Sequence, residues 1–234
     1  MSIQATLPKG SLVLVTGAFG YIRAHVTKQL LHQSANSSPE VVILNNINDK
    51  NQIQQAIQGV AGLVYIAAPN TFSPDPNETP RLRKKSVKEF VYTSTIGAAT
   101  MLPAQPGFHS DGTNWNESAR ALDWAPPPYT PDPSMIAYIY AIFVDVRDVA
   151  LLHVAALLDP SLEVAHVPAW GYEFNWIYIL KILTQLNPGT ALPVALDNPE
   201  GFNGTADVAQ VKHALKQWSG QDGFVSLEKG VIIL

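Results

Sequence analysis

Residues 12–31 read LVLVTGAFGYIRAHVTKQLL, and the order of their parts decides the fold. Leu12 to Thr16 are five residues, four of them apolar, which reads as a buried strand. Gly17 and Gly20 follow at once, and beyond them Ile22, Val26, Leu30 and Leu31 recur at helical spacing. Strand, glycine turn and helix in that order open a βα unit that can cradle a phosphate. Gly17 permits the tight turn off the strand, and Gly20 lets the backbone approach a pyrophosphate at a helix N-terminus. The third small position of the pattern, where helix and strand pack closely, is taken by Arg23. A guanidinium cannot be buried there unpaired, so Arg23 must snorkel or the helix must shift. It lies nearly a turn beyond Gly20, which favours a tolerated departure over a direct phosphate contact.

Outward from this stretch, short strands alternate with helices. Residues 34–40, SANSSPE, read as a loop, and Val41 to Leu44 as a second strand. NQIQQAIQGV (51–60) is a short helix with Ile53, Ala56 and Ile57 on one face. LVYIAA (63–68) and FVYTST (90–95) are a third and a fourth strand. The pattern predicts a parallel sheet built from right-handed βαβ units. The basic run RLRKKSVK (81–88) lacks aromatic interleaving and sits in an acidic chain, so it reads as a solvated helix face. Residues 97–134, rich in Pro, Gly and Asn, are a long surface excursion. Asp145, with Asp148 three residues on, signals the start of a helix over VDVRDVALLHVAALLD. Asn175 caps a further helix striped by Trp176, Ile179, Leu180 and Leu183, and TADVAQVKHALKQW reads as another.

Composition narrows the class. With 234 residues, 47% hydrophobic and 15% charged, the chain can bury one sizeable core and a small second lobe. A net charge of −4 points to neither nucleic acid nor an anionic membrane surface. The absence of cysteine excludes disulfides, thiolate nucleophiles and Cys-ligated zinc. The N-terminus has no apolar signal region, and the run MIAYIYAIFV (135–144) is too short to cross a bilayer. A cytoplasmic protein is therefore expected, and the N-x-S/T sequons at Asn36, Asn77, Asn116 and Asn203 read as chance. The chain stops on apolar VIIL without a polar tail, which looks unfinished. The six histidines show no pair at ligand spacing, so no metal site is read; His153 is best taken as hydrogen-bonded at the edge of the core.

Three stretches in order resemble the extended short-chain dehydrogenase/reductases of the NAD-dependent epimerase/dehydratase superfamily, nearest the fungal aldehyde and ketone reductases and dihydroflavonol reductase-like proteins. They are VTGAFGYIRAHVTKQLL; NDKNQIQQAIQGVAGLVYIAAPNTFSPDPNE with FVYTSTIGAA; and YTPDPSMIAYIYA with FVDVRDVALLHVAALLDP and FNWIYIL. The resemblance implies a Rossmann-like, doubly wound α/β fold, shortened, with a dinucleotide-binding domain over 1–150 and a reduced substrate lobe over 151–234. It places Gly17, Phe19, Gly20, Tyr21, Ile22, Asn46, Ile47, Ala67, Ala68 and Pro69 on the cofactor. Thr95 matches the residue that hydrogen-bonds a substrate carbonyl, and Tyr140 the tyrosine that protonates it as hydride arrives. The implied activity is NAD(P)H-dependent reduction of an aldehyde or ketone, with NADP(H) favoured, NAD(H) compatible, and a small-molecule carbonyl substrate as partner.

The departures matter as much. The lysine expected four residues after Tyr140 is Val144. Without it Tyr140 should stay nearer the ordinary tyrosine pKa of about 10, and the nicotinamide ribose loses its anchor. Segments are missing between YIYAI and FVDVRDVA, and again before PEVVIL. Because a sheet cannot keep a hole, Val41 to Leu44 is expected to pair directly beside the first strand, preserving the crevice at the switch point. Three readings stay open: a working reductase, which is the one adopted; a catalytically impaired dinucleotide-binding protein; and a reductase remnant.

Overall fold

The computed structural model describes residues 5–17, 19–33, 39–45, 49–66, 87–99, 107–117, 142–162, 166–174, 176–192 and 204–232. Two units make up the chain: Met1–Ser94 with Ala150–Glu163, and Thr95–Val149 with Val164–Leu234.

The first unit is organised by β2 (Val60–Tyr65), where Val60, Leu63, Val64 and Tyr65 are all buried. It lies between β1 (Leu12–Val15) and β3 (Glu89–Tyr92) in a parallel sheet of order β1-β2-β3. The parallel step from β1 to β2 carries α1 (Tyr21–Gln33) and α2 (Lys50–Ala56), as crossover geometry requires. Asp49 caps α2 by accepting from the backbone N–H groups of Asn51 and Gln52. Ile53, Ala56 and Ile57, the face expected from the sequence, line a narrow apolar cleft with Leu14, Leu44, Leu63 and Tyr65.

The opposite face of the sheet packs on the later turns of α3 (Val146–Leu158). A methyl group on Gly62 of β2 would lie 2.7 Å from Leu7 Cδ1, 3.2 Å from Leu157 Cδ1 and 3.4 Å from Val13 Cγ2. Only a residue without a side chain lets that helix approach so closely. Thr6 then closes the helix end, its N–H donating to Leu158 O and its hydroxyl to Leu157 O, which satisfies carbonyls that a helix C-terminus leaves orphaned. Helices thus cover both faces of a parallel sheet, the layering of an α/β Rossmann-like fold. Residue 150 falls inside α3, and its first turn belongs to the second unit.

Val41 to Leu44 does not behave as expected. It is not a strand, Val41, Val42 and Ile43 are exposed, and Ile43 reaches 82%. Only Leu44 turns into the apolar cleft beside Leu14. The partner of β1 is β2, and among the described residues no strand pairs with the other edge of β1. Among the described residues β1 therefore stands at the edge of the sheet. The order shows no reversal among the described residues.

The second unit is made of shorter pieces. A 3-10 turn, Ile96–Ala98, opens it. The parallel pair β4 (His109–Ser110) and β7 (Thr205–Ala206) and the antiparallel pair β5 (Ile142–Phe143) and β6 (Tyr172–Glu173) follow. Its helices are α4 (Trp176–Leu186), α5 (Ala209–Ser219) and α6 (Leu227–Ile232). In α4 Ile182 is buried and Ile179, Leu180 and Leu183 are half-buried; Asn175 lies outside the described residues. α5 buries Val211, Ala214 and Leu215 and ends at Gly220, whose φ of 77° is the left-handed cap position that glycine fills at little cost. No described helix is long and apolar enough to cross a membrane. The run 81–86 and most of the excursion 97–134 lie outside the described residues.

Gly171 is the tightest backbone approach in this unit. A Cβ there would collide with the carbonyl oxygen of Phe143 and come within 3.4 Å of Val144 Cα. Backbone cannot step aside without breaking the β5–β6 register. Gly171→Ala is therefore expected to lower stability by about 1–3 kcal/mol. A urea midpoint indistinguishable from wild type would contradict that packing.

Candidate functional site

The glycine turn sits at the carboxyl end of β1. Thr16 stitches that end to β2, its N–H donating to Val64 O at 3.0 Å and its hydroxyl oxygen accepting from Ile66 N–H at 3.0 Å. Gly17 has a φ of +66°, a conformation that strains any residue with a side chain. The N–H of Gly20 donates back to Gly17 O at 3.0 Å, closing the turn that starts α1. Phe19 and Tyr21 stand 84% and 69% exposed beside it, and Ile22 is half-buried. The first turn of α1 holds no acidic residue. Its unpaired amides and dipole leave a positive end fit for an anion.

Arg23 occupies this cradle. Helical side chains lean toward the N-terminus, and Arg23 does so far enough to cover the one-turn offset from the glycines. A Cβ on Gly17 would lie 2.9 Å from Arg23 Cδ and 3.0 Å from its Cζ; one on Gly20 would lie 2.9 Å from its Nη1. The guanidinium Nη1 donates to Gly17 O at 3.4 Å, in an exposed setting. Among the described residues it has no carboxylate partner. The snorkelling expected from the sequence is what is observed, with the guanidinium in an exposed setting.

His153 lies on α3, 9% exposed, and its Nε2 is 2.7 Å from Thr93 Oγ1. Thr93 in turn donates its N–H to Tyr65 O. The histidine thus ties the end of β3 to the helix beneath it, the structural role expected for it. Tyr65 stacks on Tyr92 with ring centroids 5.7 Å apart, and its hydroxyl has no partner among the described residues. Burial, with a smaller contribution from Tyr92, pushes that hydroxyl up to about 12.

Thr95 belongs to the second unit. It is exposed and caps the 3-10 turn, its Oγ1 accepting from Gly97 N–H at 3.4 Å. Asn116 clamps that turn from outside, its Nδ2 donating to Gly97 O and its N–H to Ala98 O, both at 2.8 Å. The same buried amide is one of the four sequon asparagines; its nitrogen is committed to structure. Nothing in the sequence marked this clamp. Asn46, Ile47, Ala67, Ala68, Pro69 and Tyr140 lie outside the described residues.

Val144 follows directly on β5 and belongs to no helix or strand. A lysine four residues after a tyrosine shares its face only on a helix, and the strand at Ile142–Phe143 excludes one there. The segment that would continue a tyrosine helix is replaced by the start of α3. Among the described residues no cluster of three or more His, Asp or Glu side chains could hold a metal ion.

A strand–glycine turn–helix unit on a parallel sheet covered on both faces defines the class, a Rossmann-like α/β protein. No family profile matches the chain. It is 24% identical to the ketoreductase NvfG of Aspergillus novofumigatus over 94% of each chain. It is 26% identical to the NAD-dependent epimerase/dehydratase TndE of Aspergillus flavipes, over 98% of this chain and 93% of that one. Aldehyde reductase 2 of Sporidiobolus salmonicolor is 30% identical over 59% of this chain and half of its own. The fold matches that of Gre2 from Candida albicans, solved with NADPH, at a TM-score of 0.65, 16% identity and coverage of 95% and 96%. The chain is thus similar over nearly its whole length to fungal ketoreductases and NAD-dependent epimerase/dehydratases, and over part of it to an aldehyde reductase. The alignment to NvfG runs over 323 positions, whereas 94% of 234 residues is about 220. About 100 positions of that relative therefore have no counterpart here, in agreement with the internal gaps seen in the sequence.

Proposed function

We propose that this chain binds NAD(P)H and reduces an aldehyde or ketone to an alcohol, in fungal secondary metabolism. The observation that carries the reading is the Gly17–Gly20 turn leading β1 into the acid-free N-terminus of α1. The names of its relatives, ketoreductases and an aldehyde reductase, support the reaction class. The donor set suits a dinucleotide pyrophosphate: backbone amides, a glycine pair without side chains and one guanidinium. NADPH in the Gre2 structure supports NADP(H) as the cofactor, and NAD(H) remains compatible with the chain.

Bound cofactor supplies hydride. Gly17, Phe19, Gly20, Tyr21 and Ile22 hold its pyrophosphate end, with Asn46 and Ile47 at the adenine and Ala67, Ala68 and Pro69 along its length. The Oγ1 of Thr95 accepts from Gly97, which leaves its own proton to donate to a carbonyl oxygen. Tyr140 gives that oxygen the proton it takes up. Residues 1–150 carry the cofactor functions and 151–234 the reduced substrate lobe. A second reading, a dinucleotide-binding protein with little turnover, is favoured by Val144 and the strand at Ile142–Phe143. The deciding experiment follows nicotinamide absorbance with NADPH, then NADH, against a panel of aliphatic and aromatic aldehydes and ketones. Turnover supports the reductase; binding without turnover supports the second reading.

A further inference from the structure

We infer that Arg23 is a pyrophosphate clamp built into the glycine turn, a role that rests on the dinucleotide reading of that turn. Three observations carry it. The side chain lies over Gly17 and Gly20, within 2.9–3.0 Å of where their Cβ atoms would be, so it fills the space the glycines keep open. Its one bond among the described residues is long, exposed and made to Gly17 O, a carbonyl that already accepts from Gly20 N–H. No carboxylate among the described residues holds it, and no acidic side chain stands in the first turn of α1.

Two outcomes compete when a pyrophosphate enters. As a plug, Arg23 would resist displacement; as a clamp, it would swing aside and pair with the anion. The magnitudes favour the clamp. Leaving costs one stretched, solvent-exposed hydrogen bond, and a cation at a helix N-terminus is in an unfavourable field to begin with. Pairing gains charge-assisted, fork-like bonds to phosphate oxygens, the stronger class of hydrogen bond. A short rotation keeps the guanidinium beside the seat it vacates. The third small residue of the motif is thus replaced by a group that recognises the ligand instead of packing beneath it.

The test is calorimetric titration of wild type, Arg23→Ala, Arg23→Gln and Arg23→Lys with NADPH, NADH and adenosine, with thermal unfolding as the check on folding. Arg23→Ala and Arg23→Gln are expected to weaken NADPH and NADH alike by about tenfold. Arg23→Lys should recover part of the loss, because it keeps the charge without the fork. Adenosine, which has no phosphate, should show no difference. Equal or tighter dinucleotide binding by Arg23→Ala or Arg23→Gln overturns the clamp and makes Arg23 a plug. A loss confined to NADPH also overturns it, since the contact would then be to the 2′-phosphate. Should Arg23→Ala fail to fold, the longer Arg23→Gln decides. Failure of every folded form, wild type included, to bind a dinucleotide would sink the parent reading and this inference with it.

Discussion

Asp148→Ala is expected to lower the stability of the chain by about 1–3 kcal/mol, because it leaves the half-buried Val225 N–H without its acceptor and takes one of two acceptors from Gln221, whose Nε2 also donates to Gly223 O. Asp148 is 1% exposed. It accepts from Gln221 Nε2 at 2.7 Å and from Val225 N–H at 2.6 Å, which ties the first turn of α3 to the segment that precedes α6. Asp148→Asn should cost less, since its amide oxygen still serves one of the two. Urea unfolding of the three proteins reads the effect directly, and equal midpoints would contradict it. The carboxyl also carries a pH signature. Burial pushes its pKa up from the ordinary 3.8, while the bonds from Val225 and Gln221 pull part of the way back. The folded state therefore keeps this proton at pH values where the unfolded chain has released it. Stability from this group falls as pH rises from 3.8 through the folded pKa, then levels off. Other carboxylates, such as Asp111 and Asp222, are lowered and trend the other way, but they cancel in a comparison of wild type with Asp148→Asn. The variant should lack the downward component; identical pH dependences would overturn the assignment.

Tyr140→Phe is the second large effect. If Tyr140 is the proton donor, its loss should lower kcat by at least about 100-fold, the lower end for a positioned acid. Dinucleotide affinity should be unchanged, because the hydroxyl serves the carbonyl and the cofactor is held elsewhere. Unchanged turnover would assign the proton to another group or to water. The lysine is not recoverable by mutation alone. Val144 follows the strand Ile142–Phe143 and lies in no helix, so Val144→Lys should restore little: the partner spacing depends on a helix running through those two residues.

How much of this was legible follows from the range of each signal. β1 and α1 were readable because an apolar run, two glycines and a 3.6-residue period agree within 20 residues. One cap was readable too: Asp145 does accept from Arg147 N–H at the start of α3, at 2.8 Å. Asp148, by its spacing a second member of the same helix-start signal, instead turns to Gln221 and Val225, more than 70 residues away. Local spacing carries no information about a partner that distant. Val41 to Leu44 failed for a related reason. Four apolar residues become a strand only if an edge is offered at the right place, and that segment stays exposed while β1 takes its only described partner from β2. The β4–β7 pair is two residues long, below any pattern a sequence can show. The reach of Arg23 back over Gly17 follows from the lean of helical side chains toward the N-terminus, which residue spacing alone does not show.

The central claim is that the glycine turn still holds a nicotinamide dinucleotide although Arg23 stands in the cradle and no described strand pairs with the outer edge of β1. Calorimetric titration of the folded wild-type chain with NADPH and with NADH tests it most directly. The account predicts one-to-one binding at micromolar concentration, tighter for NADPH. A chain that unfolds cooperatively yet takes up neither dinucleotide would contradict it.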